Sequence, residues 1–203
     1  MSFCVGLTGG IGSGKSVASA MFAELGAGIV DTDEISRALT APGGAAIAPI
    51  REAFGPESIA ADGGLDRARV RDLVFRDAEA KRKLESILHP LIRERSRAAV
   101  GAARGPYVVL VVPLLFETGA YSDLVQRVVV VDCDEARQIE HATARSGLTA
   151  AEVRRIIAAQ LPRAERRRRA DDVLDNGGTI EALRGQVGRL HARYQDLAGK
   201  YPH

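Results

Sequence analysis

The sequence predicts an α/β fold with a doubly wound parallel sheet of five strands, and three observations lead there. Short β-branched or apolar runs, Phe3–Thr8, Ile29–Val30, Val108–Val112, Val128–Val131 and Asp172–Leu174, are separated by helix-prone stretches, the strand–helix alternation of a parallel sheet. Val108–Val112 and Val128–Val131 are apolar and β-branched rather than alternating, as suits strands covered on both faces. With 203 residues, 46% hydrophobic and 27% charged, the chain fills one sizeable core and is short for two independent ones.

Taken in order, Phe3–Thr8 leads into a glycine-rich turn and a helix over Lys15–Leu25, ended by Gly26 and Gly28. Ile29–Val30 follows, with Asp31-Thr-Asp33 just past its C-terminal end and Thr32 or Asp33 able to cap the next helix. Between Ala41 and Gly64, Pro42, Gly43, Gly44, Pro49, Gly55, Pro56, Gly63 and Gly64 break the chain into short helices and turns. Helices are expected over Leu65–Phe75 and Ala78–Leu88, and Pro90 suits the first turn of a separate helix reaching Val100. After Val128–Val131 come a helix over Ala136–Arg145, a break at Gly147 and a capping box from Thr149 to Glu152 opening a helix to Gln160. A last strand, Asp172-Val-Leu, precedes an amphipathic helix over Thr179–Leu197.

Several classes of function are disfavoured at once. The longest nearly unbroken apolar run, Tyr107–Phe116, is ten residues with Pro113 inside it, against the roughly 20 that a bilayer span needs. The opening Met-Ser-Phe-Cys-Val-Gly lacks a basic leader, so export is not expected and a cytoplasmic location is. Cys4 and Cys133 each sit in a β-like run as small buried hydrophobes, which suits a reducing compartment. With 28 basic and 26 acidic residues the chain is no dedicated nucleic-acid binder. The cluster Arg163, Arg166, Arg167, Arg168 and Arg169 reads as a solvated face or as a phosphate-binding patch, and no aromatic residue interleaves with it to stack on bases.

The chemistry is concentrated in Gly9-Gly10-Ile11-Gly12-Ser13-Gly14-Lys15-Ser16, which satisfies the phosphate-loop pattern between a strand and a helix. The glycines let successive backbone N–H groups converge on phosphate oxygens, and the helix that follows directs its positive end at the same anion. Lys15 then reaches the β- and γ-phosphates, and the Ser16 hydroxyl is placed for Mg²⁺. Kinases, GTPases and transport or motor ATPases all use such a loop. None of Lys15, Lys81, Lys83 and Lys200 follows Asn or Thr, which excludes the Asn-Lys-x-Asp mode of guanine recognition. Small size, a helical insertion and an arginine-bearing helical segment favour a small-molecule kinase.

Leu7-Thr-Gly-Gly-Ile-Gly-Ser-Gly-Lys-Ser16, Val30-Asp-Thr-Asp33, Leu88-His-Pro90, Val112-Pro-Leu-Leu-Phe-Glu117 and Ala170-Asp-Asp-Val-Leu-Asp-Asn176, in that order along the whole chain, resemble the dephospho-coenzyme A kinase family. The resemblance implies a P-loop NTPase core over about 1–35, 105–135 and 170–203, a helical acceptor-binding insertion over about 36–104 and a lid over about 136–169. It implies ATP and 3′-dephospho-coenzyme A as partners, Mg²⁺ as cofactor, and neither nucleic acid nor membrane. Gly10, Ile11, Gly12, Ser13, Gly14, Lys15, Ser16, Val17 and Asn176 would bind ATP, with Ser16 on the metal. Thr8, Asp33, His89, Leu114, Leu115, Phe116 and Glu117 would bind the acceptor, and Asp33, Lys15 and Arg145 would be catalytic.

Each assignment has a structural counterpart. Asp31, and less so Asp33, is suited to capping the following helix, His89 to capping or packing within the insertion, Leu114 to Phe116 to a core, and Asn176 to the turn before Gly177 and Gly178. The chain also departs from the family at two places. The helix after the fourth strand carries Gln138, His141 and Arg145, with histidine where the family commonly has a first arginine; Val111 stands where many relatives have an aspartate. Two readings stay open beside this one: a nucleoside or nucleotide kinase, and a nucleotide-switched nucleic-acid-binding module using Arg163–Arg169.

Overall fold

A computed structural model describes residues 2–201. The chain divides into two compact units, one comprising the residues up to Val30 together with those from Ala99 onward, the other Asp31–Ala98. The first unit holds the sheet. Its strands are β1 (Cys4–Gly9), β2 (Gly28–Asp31, whose last residue opens the second unit), β3 (Val108–Val111), β4 (Arg127–Asp132) and β5 (Asp172–Asp175), in the spatial order β2-β3-β1-β4-β5. β1 lies at the centre, parallel to β3 and β4, and β4 is parallel to β5.

Every residue of β1 is buried, as an apolar central strand must be. On one face Val5 and Leu7 pack with Val109, Val129 and Leu174 against Met21 and Phe22 of α1 (Lys15–Glu24) and against Leu183, Val187 and Tyr194 of the C-terminal helix. On the other face Gly6 leaves room for a close approach: a Cβ there would meet Leu115 Cδ2 at 2.7 Å. Burial pushes the Cys4 thiol up to about 12 and the Cys133 thiol to about 11, so both are inert apolar fillers, as their runs imply.

The second unit is helical: α2 (Thr32–Leu39), α3 (Ile47–Phe54), α4 (Arg67–Arg76) and most of α5 (Ala78–Ala102). Its core joins Leu39, Ala46 and Ile50 to Leu84, Ile87, Leu88, Leu91 and Ile92. Of the capping candidates Asp31, Thr32 and Asp33, it is Asp31 that caps α2, its carboxylate accepting from the Asp33 and Glu34 amides at 2.8 and 3.4 Å. One expectation is corrected here. Pro90 does not open a new helix but lies inside α5, which runs unbroken for 25 residues. Apolar residues on both sides of Pro90 pack into the same core, and that burial outweighs the loss of one helical hydrogen bond.

The remaining helices belong to the first unit: α6 (Leu115–Thr118), α7 (Glu135–Ser146), α8 (Ala150–Ala159), α9 (Arg163–Arg169) and α10 (Ile180–Gly199). The capping box at Thr149 and Glu152 forms as expected, and Thr179 proves to be the N-cap of α10 rather than its first residue. The arginine cluster is α9 and is not a uniformly solvated face, because Arg166 is buried within it. Among the described residues no helix is long and apolar enough to cross a membrane.

Candidate active site

The phosphate-loop residues connect β1 to α1 at the C-terminal edge of the sheet, where open α/β folds bind ligands. Gly12 and Gly14 take positive φ values of 69° and 96°. At Gly12 the backbone opposite also excludes a side chain, since a Cβ would lie 2.2 Å from the Gln138 carbonyl oxygen, and a Cβ on Gly14 would lie 2.3 Å from Asn176 Nδ2. The loop is thus pressed between α7 and the segment following β5.

Its carbonyls turn outward to protein donors. Asn176 Nδ2 donates to Ser13 O at 2.9 Å, His141 Nδ1 lies 3.0 Å from Gly12 O, and Lys15 Nζ donates to Gly9 O and Gly10 O at 2.8 and 3.1 Å. The Ile11 amide donates to Gln160 Oε1 at 3.1 Å, while the Gly12 and Gly14 amides have no acceptor among the described residues. Carbonyls engaged outside and amides left inside are what an anion cradle requires. Among the described residues the Ser13 hydroxyl has no hydrogen-bond partner though it is buried, and Ser16 and Val17 are exposed on the first turn of α1. An exposed hydroxyl there suits Mg²⁺ carried by a nucleotide. Among the described residues no group of three or more His, Cys, Asp or Glu is placed for a metal, so the protein's own donor set is sparse.

Three sequence-derived assignments sit differently from their simplest reading. Asn176, expected as a turn residue or base contact, clamps the loop backbone. Arg145 is exposed near the end of α7, whereas His141, one turn earlier, reaches the loop. Leu114, Leu115 and Phe116 do not form one wall: Leu115 turns inward over Gly6 while Leu114 is exposed, and Glu117 Oε1 accepts from the Leu161 amide at 2.9 Å. Thr8 Oγ1 donates to Pro113 O at 3.2 Å, tying β1 to the start of that segment. A cavity of about 270 Å³ lined in part by Leu115, Phe116, Val125 and Val128 contains no phosphate-loop residue. In the second unit Asp33 is exposed in the first turn of α2, and His89 is exposed on α5 beside Pro90.

Sequence reasoning missed Asp132. This aspartate ends β4, is 2% exposed, and binds Arg163 through Nε and Nη2 at 2.8 Å each and Arg167 Nη1 at 2.5 Å. Burial alone would raise its pKa, but the hydrogen bonds and charges of the two arginines outweigh it and hold the carboxyl below its ordinary value. The signal was available, since Asp132 follows Val128–Val131 as Asp31 follows Ile29–Val30, at a strand tip facing the ligand edge. Arg168 and Arg169 pair with Glu165, so four of the five clustered arginines are engaged with carboxylates within the chain.

Comparison with known proteins accords with this geometry. The dephospho-CoA kinase family model matches residues 3–182. A dephospho-CoA kinase of Aromatoleum aromaticum is 57% identical over 192 residues, covering 95% of this chain and 94% of that one. A solved structure from Thermus thermophilus superposes with a TM-score of 0.74 at 32% identity, covering 95% of this chain and 97% of its own. A dephospho-CoA kinase from Campylobacter jejuni, at 18% identity, shares the fold with a TM-score of 0.64 over 94% of this chain and 96% of its own. With a phosphate loop at the sheet edge and these similarities over nearly the full length, the chain belongs to the dephospho-CoA kinase family, P-loop kinases of the last step of coenzyme A synthesis.

Proposed function

We propose that the protein transfers the γ-phosphoryl group of ATP to the ribose 3′-hydroxyl of 3′-dephospho-coenzyme A, giving coenzyme A and ADP, with the residues named below in these roles. The observation that carries the reading is the phosphate loop, with its carbonyls tied outward and the Gly12 and Gly14 amides left for an anion. The Ser16 hydroxyl would help to hold Mg²⁺ brought in with ATP, and the ion would supply charge neutralisation there. Gly10 to Val17 bind the phosphates. Lys15, whose ammonium bonds Gly9 O and Gly10 O, moves its charge to the β- and γ-phosphates when ATP enters.

Asp33 orients the attacking hydroxyl and accepts its proton. In the loose transition state usual for phosphoryl transfer that proton leaves late, so alignment is the carboxylate's main task. Asp31 already caps α2, and this favours Asp33 over Asp31 for the role. Asn176 holds the loop and lies beside the nucleotide; Thr8, His89, Leu114, Leu115, Phe116 and Glu117 contribute to the acceptor side, with Arg145 closing from a lid of α7–α9. The protein is taken to act in the cytoplasm, with no nucleic-acid or membrane partner. The test is a coupled assay of purified protein with ATP, Mg²⁺ and dephospho-coenzyme A beside a panel of nucleosides and nucleotides. Coenzyme A formation is expected; a folded, ATP-binding sample that phosphorylates only a nucleoside or nucleotide refutes the acceptor. Asp33→Asn is expected to lower turnover by ~10²–10⁴-fold with ATP affinity retained.

A further inference from the structure

Among the clustered arginines Arg166 stands apart. It is 4% exposed, on a helix whose other arginines all reach solvent and bind carboxylates. Its guanidinium bonds no carboxylate among the described residues; its one side-chain hydrogen bond runs from Nη1 to the Leu161 carbonyl. The two acids whose charges act on it are committed elsewhere, Asp132 to Arg163 and Arg167, and Glu117 to the Leu161 amide. Removing a guanidinium from water without an anion is costly, and burial accordingly lowers its pKa, although an arginine stays charged.

The other end of the guanidinium points to the phosphate loop. A Cβ added to Gly10 would meet Arg166 Nη2 at 2.9 Å, beside the Gln138 carboxamide. Gly10 therefore has a second reason to be glycine: it lets a cation lie against the entrance of the loop. The side chain is held there because Arg163 and Arg167, three residues before and one after, tie α9 to Asp132 at the tip of β4.

We propose that Arg166 is a catalytic residue for phosphoryl transfer, donating N–H from Nη2 to the β- and γ-phosphate oxygens of ATP as charge shifts during transfer, with Arg163, Arg167 and Asp132 as the positioning residues that aim it. No bond forms to the arginine; the γ-phosphoryl passes from the β-γ bridging oxygen to the acceptor oxygen, and Arg166 contributes charge and two-pronged donor geometry. The inference rests on the loop being an ATP site and does not depend on which acceptor is used.

The test compares wild type with Arg166→Gln and Arg166→Met, the second sparing the fold a buried polar group, and with Arg168→Gln on the exposed side of α9 as control. Thermal melts establish folding. Calorimetric titrations with ATP and AMP are read beside turnover of dephospho-coenzyme A. The expected result is a loss of turnover of ~10²–10³-fold in both Arg166 variants, as for other donors aimed at developing charge. ATP affinity should fall at least tenfold with AMP affinity unchanged, and Arg168→Gln should behave as wild type. Folded variants with wild-type turnover and ATP affinity overturn the proposal. So does equal weakening of ATP and AMP, which marks a purely structural arginine. If wild type makes no coenzyme A, the acceptor reading fails, while the ATP-against-AMP comparison still decides the role of Arg166.

Discussion

Strand β4 carries a charged cluster at each end, and the two are assembled from the same parts. At its start, Arg127 pairs with the buried Asp172 of β5 through Nε at 2.5 Å, and Asp172 also accepts from Arg193 Nη1 at 2.8 Å and Tyr194 Oη at 2.9 Å. At its tip, the buried Asp132 is held by Arg163 and Arg167. The first cluster joins two strands to α10 at the N-terminal edge of the sheet, where Arg127 also lines the cavity bordered by Leu115 and Phe116. The second joins a strand tip to a seven-residue helix beside the phosphate loop, and its effect is to hold Arg166 in place. A buried carboxylate between two arginines therefore says nothing about function until its place on the sheet is known: the N-terminal edge of a parallel sheet is for stability, the C-terminal edge for ligands.

The largest effect expected on either side of this contrast is at the loop itself. Lys15→Ala should lower turnover by several orders of magnitude with an unchanged melting temperature, measured by the coupled assay and by thermal melts; near-normal turnover would remove the loop from the chemistry. Next comes Asp172→Ala, expected to cost about 3–5 kcal/mol of stability in urea titrations while the folded fraction keeps wild-type turnover, since it strands a buried tyrosine hydroxyl and Arg127. A fall in kcat there would break the comparison. Asp132→Asn should invert the pattern. Its arginines are half exposed and can turn to water, so stability should drop by only about 1–2 kcal/mol, yet turnover should fall about tenfold as α9 loses its anchor.

The smallest effect is in pH dependence. At Asp172, as at Asp132, burial raises the pKa, but hydrogen bonds from Arg127 and Tyr194 and the charges of Arg127 and Arg193 prevail, and the folded carboxyl sits below its ordinary value. The unfolded chain then binds protons first as pH falls. The stabilisation is complete above the unfolded carboxylate pKa of roughly 4 and is lost on descending through the lower folded value. Urea titrations from about pH 5 down to about pH 2 should therefore show a shallower acid loss in Asp172→Asn than in wild type. An identical slope would mean that the Asp172 carboxyl has the same pKa in the folded and unfolded protein.

How much of this was written in the sequence divides along physical lines. The five strands, the phosphate loop, the capping box at Thr149 and the buried cysteines were legible, because each depends on residues adjacent in the chain, whose backbone preferences and periodicity act locally. Unbroken α5 was not, because proline's local cost at Pro90 is overridden by Leu84, Ile87, Leu91 and Ile92 packing into a core assembled from distant segments. The site was legible where one contiguous motif makes it, from Gly9 to Ser16, and illegible where its parts come from far apart. The grip of His141, Gln160 and Asn176 on the loop, the inward turn of Leu115 onto Gly6, and the different fates of Arg163, Arg166 and Arg167 within one cluster arise only when β1, β4 and β5 lie side by side. Charge is a property of the residue, but what it neutralises depends on which strand tip the fold brings next to it; the amino-acid order determined that a phosphate loop would form, and tertiary packing decided which arginine faces it.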